Sequence, residues 1–480
     1  MENKITNALR KELLASKSAK KDALSARDRI EKLFDDGTFT EIGAFTARRI
    51  SEFDQKSPDE FESVICGYGS IDDRLVYAFA EDMSRTKGSI SEAAAKKISS
   101  VYKLAVENGC PVVAVLDSAG AYLPEGVRAL AGYGSIMKAV ASASGIIPQI
   151  AVVAGVATGA NAVIASMFDF VIATSSSEIS VNPPFVVGGG KADSSIESGG
   201  ASVVVKTDCD AIAKARELLA FLPSNNEEGT AEINSTDDPN RTSDLSTYEN
   251  SGKISDVIAS VADNGRFFEV SAKYSKSVKI GFISLGGTVC GIVATDHGEN
   301  GGRLSSRGAR KAARFLSFCD CFSVPVITLV DSDGFEISGE EEKNPYCSEI
   351  GKLAGTYASA KTALVTLVCG SAYGSVFSVL GSKAIGADIV FALDSAKIAC
   401  MNPASAVALL WNNKITPKTS REDLENQWAS IEANVANAAR AGEIDDIIDT
   451  AEVRQRLASA VNMLSCKAGA QRRRHANMPL

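Results

Sequence analysis

Hydrophobic runs closed by glycine recur along this chain, and two of them repeat each other. Pro111-Val112-Val113-Ala114-Val115-Leu116 ends in Asp117-Ser118-Ala119-Gly120, and Pro325-Val326-Ile327-Thr328-Leu329-Val330 ends in Asp331-Ser332-Asp333-Gly334. Each pattern predicts a buried parallel strand opening into a glycine turn. The two lie 214 residues apart, from 117 to 331. Upstream, Ala95-Lys96-Lys97 matches Ala309-Arg310-Lys311 at the same spacing. Downstream, Gly155-Val156-Ala157-Thr158-Gly159-Ala160 matches Gly370-Ser371-Ala372-Tyr373-Gly374-Ser375 at 215, and Asp169-Phe170-Val171-Ile172 matches Asp388-Ile389-Val390-Phe391 at 219. A nearly constant offset marks a duplicated α/β unit. A length of 480 residues suits two cores better than one. The expected domains are 1–235 and 236–480.

No charge interrupts the chain between Lys138 and Asp169, or between Lys361 and Lys383. Both stretches are long enough to raise the question of a membrane span. They occupy equivalent places in the repeat, however, and the first contains Pro148, Gln149 and Asn161. A buried strand followed by a buried helix accounts for both. Residues 1–29 are charged and lack an apolar core, so no secretory signal is expected and a cytoplasmic location follows.

Composition narrows the chemistry. A net charge of −9 without a long basic stretch argues against nucleic acid as a partner. Aromatic content of 6% gives little surface for stacking on bases. Cys110, Cys290, Cys369 and Cys400 lie in or beside apolar runs, and Cys319-x-Cys321 has no second pair or His nearby. These are expected to be core or reduced thiols, with no metal bound. Only His297 and His475 are present, which disfavours Ser-His-Asp hydrolysis and His-based metal chemistry. No P-loop occurs, and Gly188-Gly189-Gly190-Lys191 reads as a flexible loop.

What remains are two small-residue turns, Gly155 to Asn161 and Gly370 to Val376, each leading into an apolar helix. Backbone N–H groups at such a helix start can hold a negatively charged oxygen. Aimed at an oxygen that gains charge during reaction, they form an oxyanion hole. The same residues also suit tight helix–sheet packing alone. Two anion-stabilising turns without an obvious general base would suit enolate chemistry on a thioester.

From about Leu24 to the C-terminus the chain resembles the carboxyltransferase subunits of biotin-dependent acyl-CoA carboxylases and the related methylmalonyl-CoA and glutaconyl-CoA decarboxylases. The residues carrying this likeness begin with Ala26-Arg27-Asp28-Arg29-Ile30, Val76-Tyr77-Ala78-Phe79-Ala80-Glu81-Asp82 and Leu130-Ala131-Gly132-Tyr133-Gly134. Phe221-Leu222-Pro223-Ser224-Asn225-Asn226, Phe315-Leu316-Ser317-Phe318-Cys319-Asp320, Ala372-Tyr373-Gly374 and Gly381-Ser382-Lys383 follow in order. The resemblance implies two tandem crotonase (ClpP/crotonase-like) α/β domains, assembled as dimers up to hexamers. It implies an active site between the N-domain of one chain and the C-domain of its partner, with CoA mainly on the former and biotin mainly on the latter.

By the same resemblance, Gly159 and Ala160 would hold the thioester enolate oxygen, and Ser375 and Val376 the ureido oxygen of biotin. Gly120, Ala121 and Ser378 would contact the substrate, with Ser378 lining an acyl pocket suited to propionyl-CoA or methylmalonyl-CoA. No Met-Lys-Met biotin acceptor is present, as Met137-Lys138-Ala139 shows. Biotin is therefore expected on a separate carboxyl carrier protein, with a biotin carboxylase or membrane decarboxylase subunits as further partners.

The chain departs from the family where Gly-Gly becomes Gly159-Ala160 and Gly-Ala becomes Ser375-Val376, since added Cβ atoms narrow the approach to backbone. It also reads Asp331-Ser332-Asp333-Gly334-Phe335 where the family has Asp-x-Pro-Gly-Phe. Two alternatives therefore stay open: a crotonase-type hydratase or isomerase using Asp117 and Glu125 as acid and base, and a non-catalytic scaffold paralogue.

Overall fold

The computed structural model describes residues 11, 24–49, 61–182, 186, 197–465, 467 and 477. The Gly188-Gly189-Gly190-Lys191 loop and His475 lie outside them. The chain forms two compact units. One comprises the described residues up to Glu228 together with Asn477; the other begins at Gly229.

In the first unit the strands are β1 (Thr40–Glu41), β2 (Val64–Ile71), β3 (Arg74–Glu81), β4 (Val112–Ser118), β5 (Gln149–Thr158), β6 (Phe170–Thr174), β7 (Glu178–Ser180) and β8 (Val203–Val205). They pair in the order β1-β2-β3-β4-β5-β6-β8, and β7 pairs with the end of β5. The first two pairings are antiparallel and the rest parallel. The helices are α1 (Ala26–Leu33), α2 (Glu92–Asn108), α3 (Val127–Ala143), α4 (Ala160–Met167) and α5 (Asp208–Phe221).

The second unit repeats this plan with β9 (Phe268–Val270), β10 (Val278–Leu285), β11 (Thr288–Thr295), β12 (Val326–Ser332), β13 (Leu364–Tyr373), β14 (Ile389–Leu393), β15 (Lys397–Ala399) and β16 (Asp446–Ile448). Their order from β9 to β16 has the same sense of every pairing, with β15 on β13 as β7 is on β5. The helices used below are α6 (Ile254–Val261), α7 (Ser306–Cys321), α8 (Tyr346–Ser359), α9 (Ser375–Val379) and α10 (Val453–Leu464). Even the register irregularity recurs, at Leu116/Ser118 and at Val330/Ser332.

The local reasons are visible in α2. Ala94, Ile98, Val101, Tyr102 and Ala105 recur at helical spacing and are buried against the sheet. Ser91 caps the start through the Ala94 N–H, and Gly109 ends the helix at φ 60. Tyr133, Ile136 and Val140 of α3 close over the same core, where β4 and β5 supply Ala114, Leu116, Ala151 and Val153. In the second unit Ile258 and Val261 of α6 and Leu457 and Val461 of α10 pack on Ile292, Leu329 and Leu367.

The uncharged stretches thus hold β5 with α4 and β13 with α9, and among the described residues no helix is long and apolar enough to cross a membrane. The repeated lysines also find a reason. Buried Lys97 donates to the Val64 carbonyl at 2.6 Å, and buried Lys311 to those of Ser271, Tyr274 and Val278 at 2.6–2.9 Å. Cys110, Cys290, Cys319, Cys321 and Cys369 are buried, whereas Cys400, just past β15, is exposed. Among the described residues no cluster could hold a metal ion.

Candidate active site

The first glycine of each turn belongs to the strand. Gly155 lies within β5 and Gly370 within β13, because a buried carboxylate covers each of them. A Cβ on Gly155 would sit 2.0 Å from Asp117 Oδ1, and one on Gly370 2.3 Å from Asp331 Oδ1. Those carboxylates accept the Val156 N–H at 3.1 Å and the Ser371 N–H at 2.8 Å, bridging the register break between neighbouring strands. Behind them the units differ. Asp117 pairs with buried Arg29 of α1 at 2.9 Å, and Arg29 also reaches Asp208 at 2.8 Å. Asp331 instead accepts the Tyr248 hydroxyl at 2.7 Å. Burial raises the Asp331 pKa above its ordinary value, against the Tyr248 and Ser371 hydrogen bonds and the nearby His297.

The turn itself is a single residue. Gly159 caps α4 at φ 61, ψ −128 and Gly374 caps α9 at φ 68, ψ −155, backbone regions that favour glycine. The N–H of Gly159 donates to Ser180 O of β7 at 3.0 Å, and that of Gly374 to Ala399 O of β15 at 2.9 Å. The short side strands therefore take up the glycine amides. At the next positions Ala160 and Asn161, and Ser375 and Val376, have N–H groups with no hydrogen-bond partner among the described residues. Of the expected first pair, the Gly159 N–H is thus engaged, and among the described residues the donors left without a partner here are those of Ala160 and Asn161. The reason lies in the β5·β7 pairing, which engages Gly159.

Of the side chains that replace glycine or alanine at these turns, Val376 is fully buried and the Ala160 methyl packs on the first core, while Ser375 is exposed, as is Ser378. Gly120 has φ 109 and gives its N–H to Ser118 Oγ at 3.0 Å, and Ala121 bridges to Ile90. Gly334 and Phe335 repeat this, with φ 126 at Gly334 and a bridge from Phe335 to Leu304. Beyond Phe335 an open cleft of about 720 Å³ runs past Ile337, Tyr346, Cys347 and Ile350, largely apolar with Glu336 and Glu342 at its wall.

The acid and base suggested for a hydratase are committed elsewhere. Asp117 is held by Arg29 and the Val156 amide, and Glu125 accepts the Glu92 N–H at the start of α2 at 2.7 Å. Asp331 and Glu341 hold the same places in the second unit, where Glu341 accepts the Ser306 N–H at 2.8 Å. A duplicated architectural role explains both carboxylates.

Sequence reasoning missed Glu81 and the side chain of Asn161, which meet beside the first turn at 3.0 Å. An acid closing the apolar β3 and one of two amides, Gln149 and Asn161, in an uncharged stretch were the available signals.

The duplicated unit that the repeated motifs implied is present, and the comparisons name its family. The carboxyl transferase domain model matches residues 17–478. The chain belongs to the carboxyl transferase domain family. This carboxyltransferase is 34% identical to the propionyl-CoA carboxylase carboxyltransferase subunit of Haloferax mediterranei, over 96% of this chain and 94% of that protein. It is also 34% identical to methylmalonyl-CoA decarboxylase subunit alpha of Propionigenium modestum, over 95% and 93%. Among solved structures it is similar to transcarboxylase 12S, a hexamer described with hydrolysed methylmalonyl-CoA bound. There the TM-score is 0.90 at 30% identity, covering 95% of this chain and 93% of that one. The architecture is therefore that of tandem crotonase-like domains.

Proposed function

We propose that this carboxyltransferase moves a carboxyl group between carboxybiotin and a short acyl-CoA, with propionyl-CoA and methylmalonyl-CoA as the substrate pair. The observation that carries the reading is the pair of amides, without a partner among the described residues, repeated at the head of α4 and α9 in a chain of this family. Relatives named for carboxylation and for decarboxylation are equally similar, at 34% each. Carboxyl transfer itself is the step they share.

The amides of Ala160 and Asn161 would hold the thioester oxygen as it becomes an enolate oxygen, with Gly159 setting their direction. One such donor is worth about 3 kcal/mol of transition-state stabilisation. In the second unit two unpartnered donors, on Ser375 and Val376, fit a carbonyl oxygen such as that of the biotin ureido group. Biotin supplies the transferable carboxyl group and arrives on a carrier protein, since the chain lacks an acceptor motif. A biotin carboxylase or decarboxylase subunits complete the system. Gly120 and Ala121 would line the acyl-CoA side.

The test uses purified protein with a carboxylated biotin carrier and acetyl-, propionyl- and butyryl-CoA. Propionyl-CoA is expected to give the highest kcat/KM, with a graded fall of about 1–3 kcal/mol per methylene change. Transfer to none of the three would overturn the reading in favour of a scaffold. In the Ser378→Ile variant the preference should shift towards acetyl-CoA, because the exposed Ser378 side chain would be replaced by a larger apolar one. An unchanged ranking removes Ser378 from the acyl pocket. The working form is expected to be an assembly of copies, up to a hexamer, and sedimentation of a fully active monomer would refute that.

A further inference from the structure

Glu81 ends β3 and is 1% exposed. Its Oε2 accepts two hydrogen bonds, from the Asp117 N–H at 2.7 Å and from Asn161 Nδ2 at 3.0 Å. Asn161 is itself 2% exposed and stands second in α4, where its own backbone N–H is one of the free amides. The second unit shows which of these bonds the fold requires. There Thr295 Oγ1 accepts the Asp331 N–H at 2.8 Å, and Val376 stands where Asn161 does. A hydroxyl thus suffices for the strand amide, and the bond to the head of the helix is what the carboxyl adds.

We propose that Glu81 is a positioning residue for the first turn, holding the start of α4, and with it the Ala160 and Asn161 amides, through the side chain of Asn161. Its effect on turnover rests on the carboxyltransferase reading; the tie itself does not. Among the described residues no cation touches Glu81. The ionisable groups around it are Asp117, whose charge is met by Arg29, with Asp208 behind, and the buried Tyr133 hydroxyl of α3. Burial raises the Glu81 pKa to about 8, against the two hydrogen bonds that favour its ionised form. At neutral pH Glu81 is therefore an uncharged acceptor. Above about 8 it becomes an anion lying behind amides that must stabilise a developing negative charge, and transfer weakens.

The experiment compares wild type with Glu81→Gln, Glu81→Leu and Asn161→Ala in two readouts. The first is the pH dependence of kcat/KM from 6 to 9.5. The second is amide hydrogen exchange in the segment spanning residues 158–165. The wild type is expected to lose activity by about tenfold per pH unit above about 8. Glu81→Leu and Asn161→Ala should lower kcat at least about tenfold at neutral pH, with little change in KM, and accelerate exchange in the segment. Glu81→Gln keeps the acceptor oxygen, so it should restore slow exchange and most of the turnover while the alkaline fall disappears. Should Glu81→Leu fail to fold, Asn161→Ala cuts the same tie from the other end. Unchanged exchange in Asn161→Ala, or an alkaline fall that persists in Glu81→Gln, overturns the proposal. A wild type without transfer activity refutes the carboxyltransferase reading instead, and exchange still decides whether the tie exists.

Discussion

Replacing Arg454 by Met is expected to destabilise the second unit by about 3–5 kcal/mol, the usual cost of removing one partner from a buried ion pair. Arg454 in α10 is 0% exposed, and its guanidinium contacts Asp263 Oδ1 at 2.6 Å, Asp238 O at 3.2 Å and the Val261 carbonyl. Its own N–H donates to Ser243 Oγ at 2.7 Å. Asp263 in turn accepts the Ser284 hydroxyl and the Gly286 and Gly287 amides, at 2.8–3.0 Å, in the turn between β10 and β11. One side chain thus ties α10, the end of α6 and a hairpin together. Burial alone would raise the Asp263 pKa, but the Gly287 amide, Arg454, the Gly286 amide and Ser284 outweigh it and bring it to about 2. A carboxylate with a depressed folded-state pKa stabilises the fold above its unfolded value, about 3.9, and this contribution disappears as pH falls through about 2. In Arg454→Met the folded-state pKa should rise and the acid loss begin at higher pH. Thermal melts of both proteins between pH 2 and 7 check the size and the pH window together. Equal melting temperatures throughout would show that the pair adds nothing.

What could be read from the sequence was whatever the duplication preserved in residue identity. The 214-residue offset found both units because buried strands keep their apolar runs, and Asp-Ser-x-Gly kept its place because Asp117 and Asp331 each sit on a glycine of the next strand. The buried Cys110, Cys290 and Cys369 were legible for the same reason, since apolar surroundings read as core, whereas Cys400 beside such a run is exposed. The direction of individual N–H groups was not legible. That Gly159 donates to Ser180 depends on β7, a three-residue strand whose position is set by tertiary pairing. The partners behind the paired aspartates were equally hidden. Arg29 and Tyr248 answer one structural demand with different chemistry, so no offset links them. Asp117 and Glu125, named as acid and base only for the alternative hydratase, hold backbone amides, while Glu81 stood only within a stretch that carries the family likeness. A motif reports which residues a fold keeps, and the hydrogen-bond partners report why.

Gly159→Val is expected to cut kcat by about 10²–10³, the loss that follows removal of an oxyanion donor. Crowding by the described residues is not the reason, because among them a Cβ on Gly159 would find its nearest neighbour, Val181 O, 4.0 Å away. The backbone is. At φ 61, ψ −128 a β-branched residue is strained by roughly 1–3 kcal/mol, so the valine variant should relax towards negative φ. That movement breaks the Gly159 N–H···O Ser180 bond of 3.0 Å and swings the following amides of Ala160 and Asn161 away from their common direction. The change is confined to the head of an eight-residue helix outside the main sheet ladder, so the fold should survive with a melting temperature lowered by only a few degrees. On the proposed reading the amides meet a full negative charge only as the enolate forms, so kcat should fall far more than the acyl-CoA KM rises. Near-normal kcat in a folded Gly159→Val protein would remove the first turn from the chemistry. A rise in KM alone would make it a binding contact for the ground-state thioester.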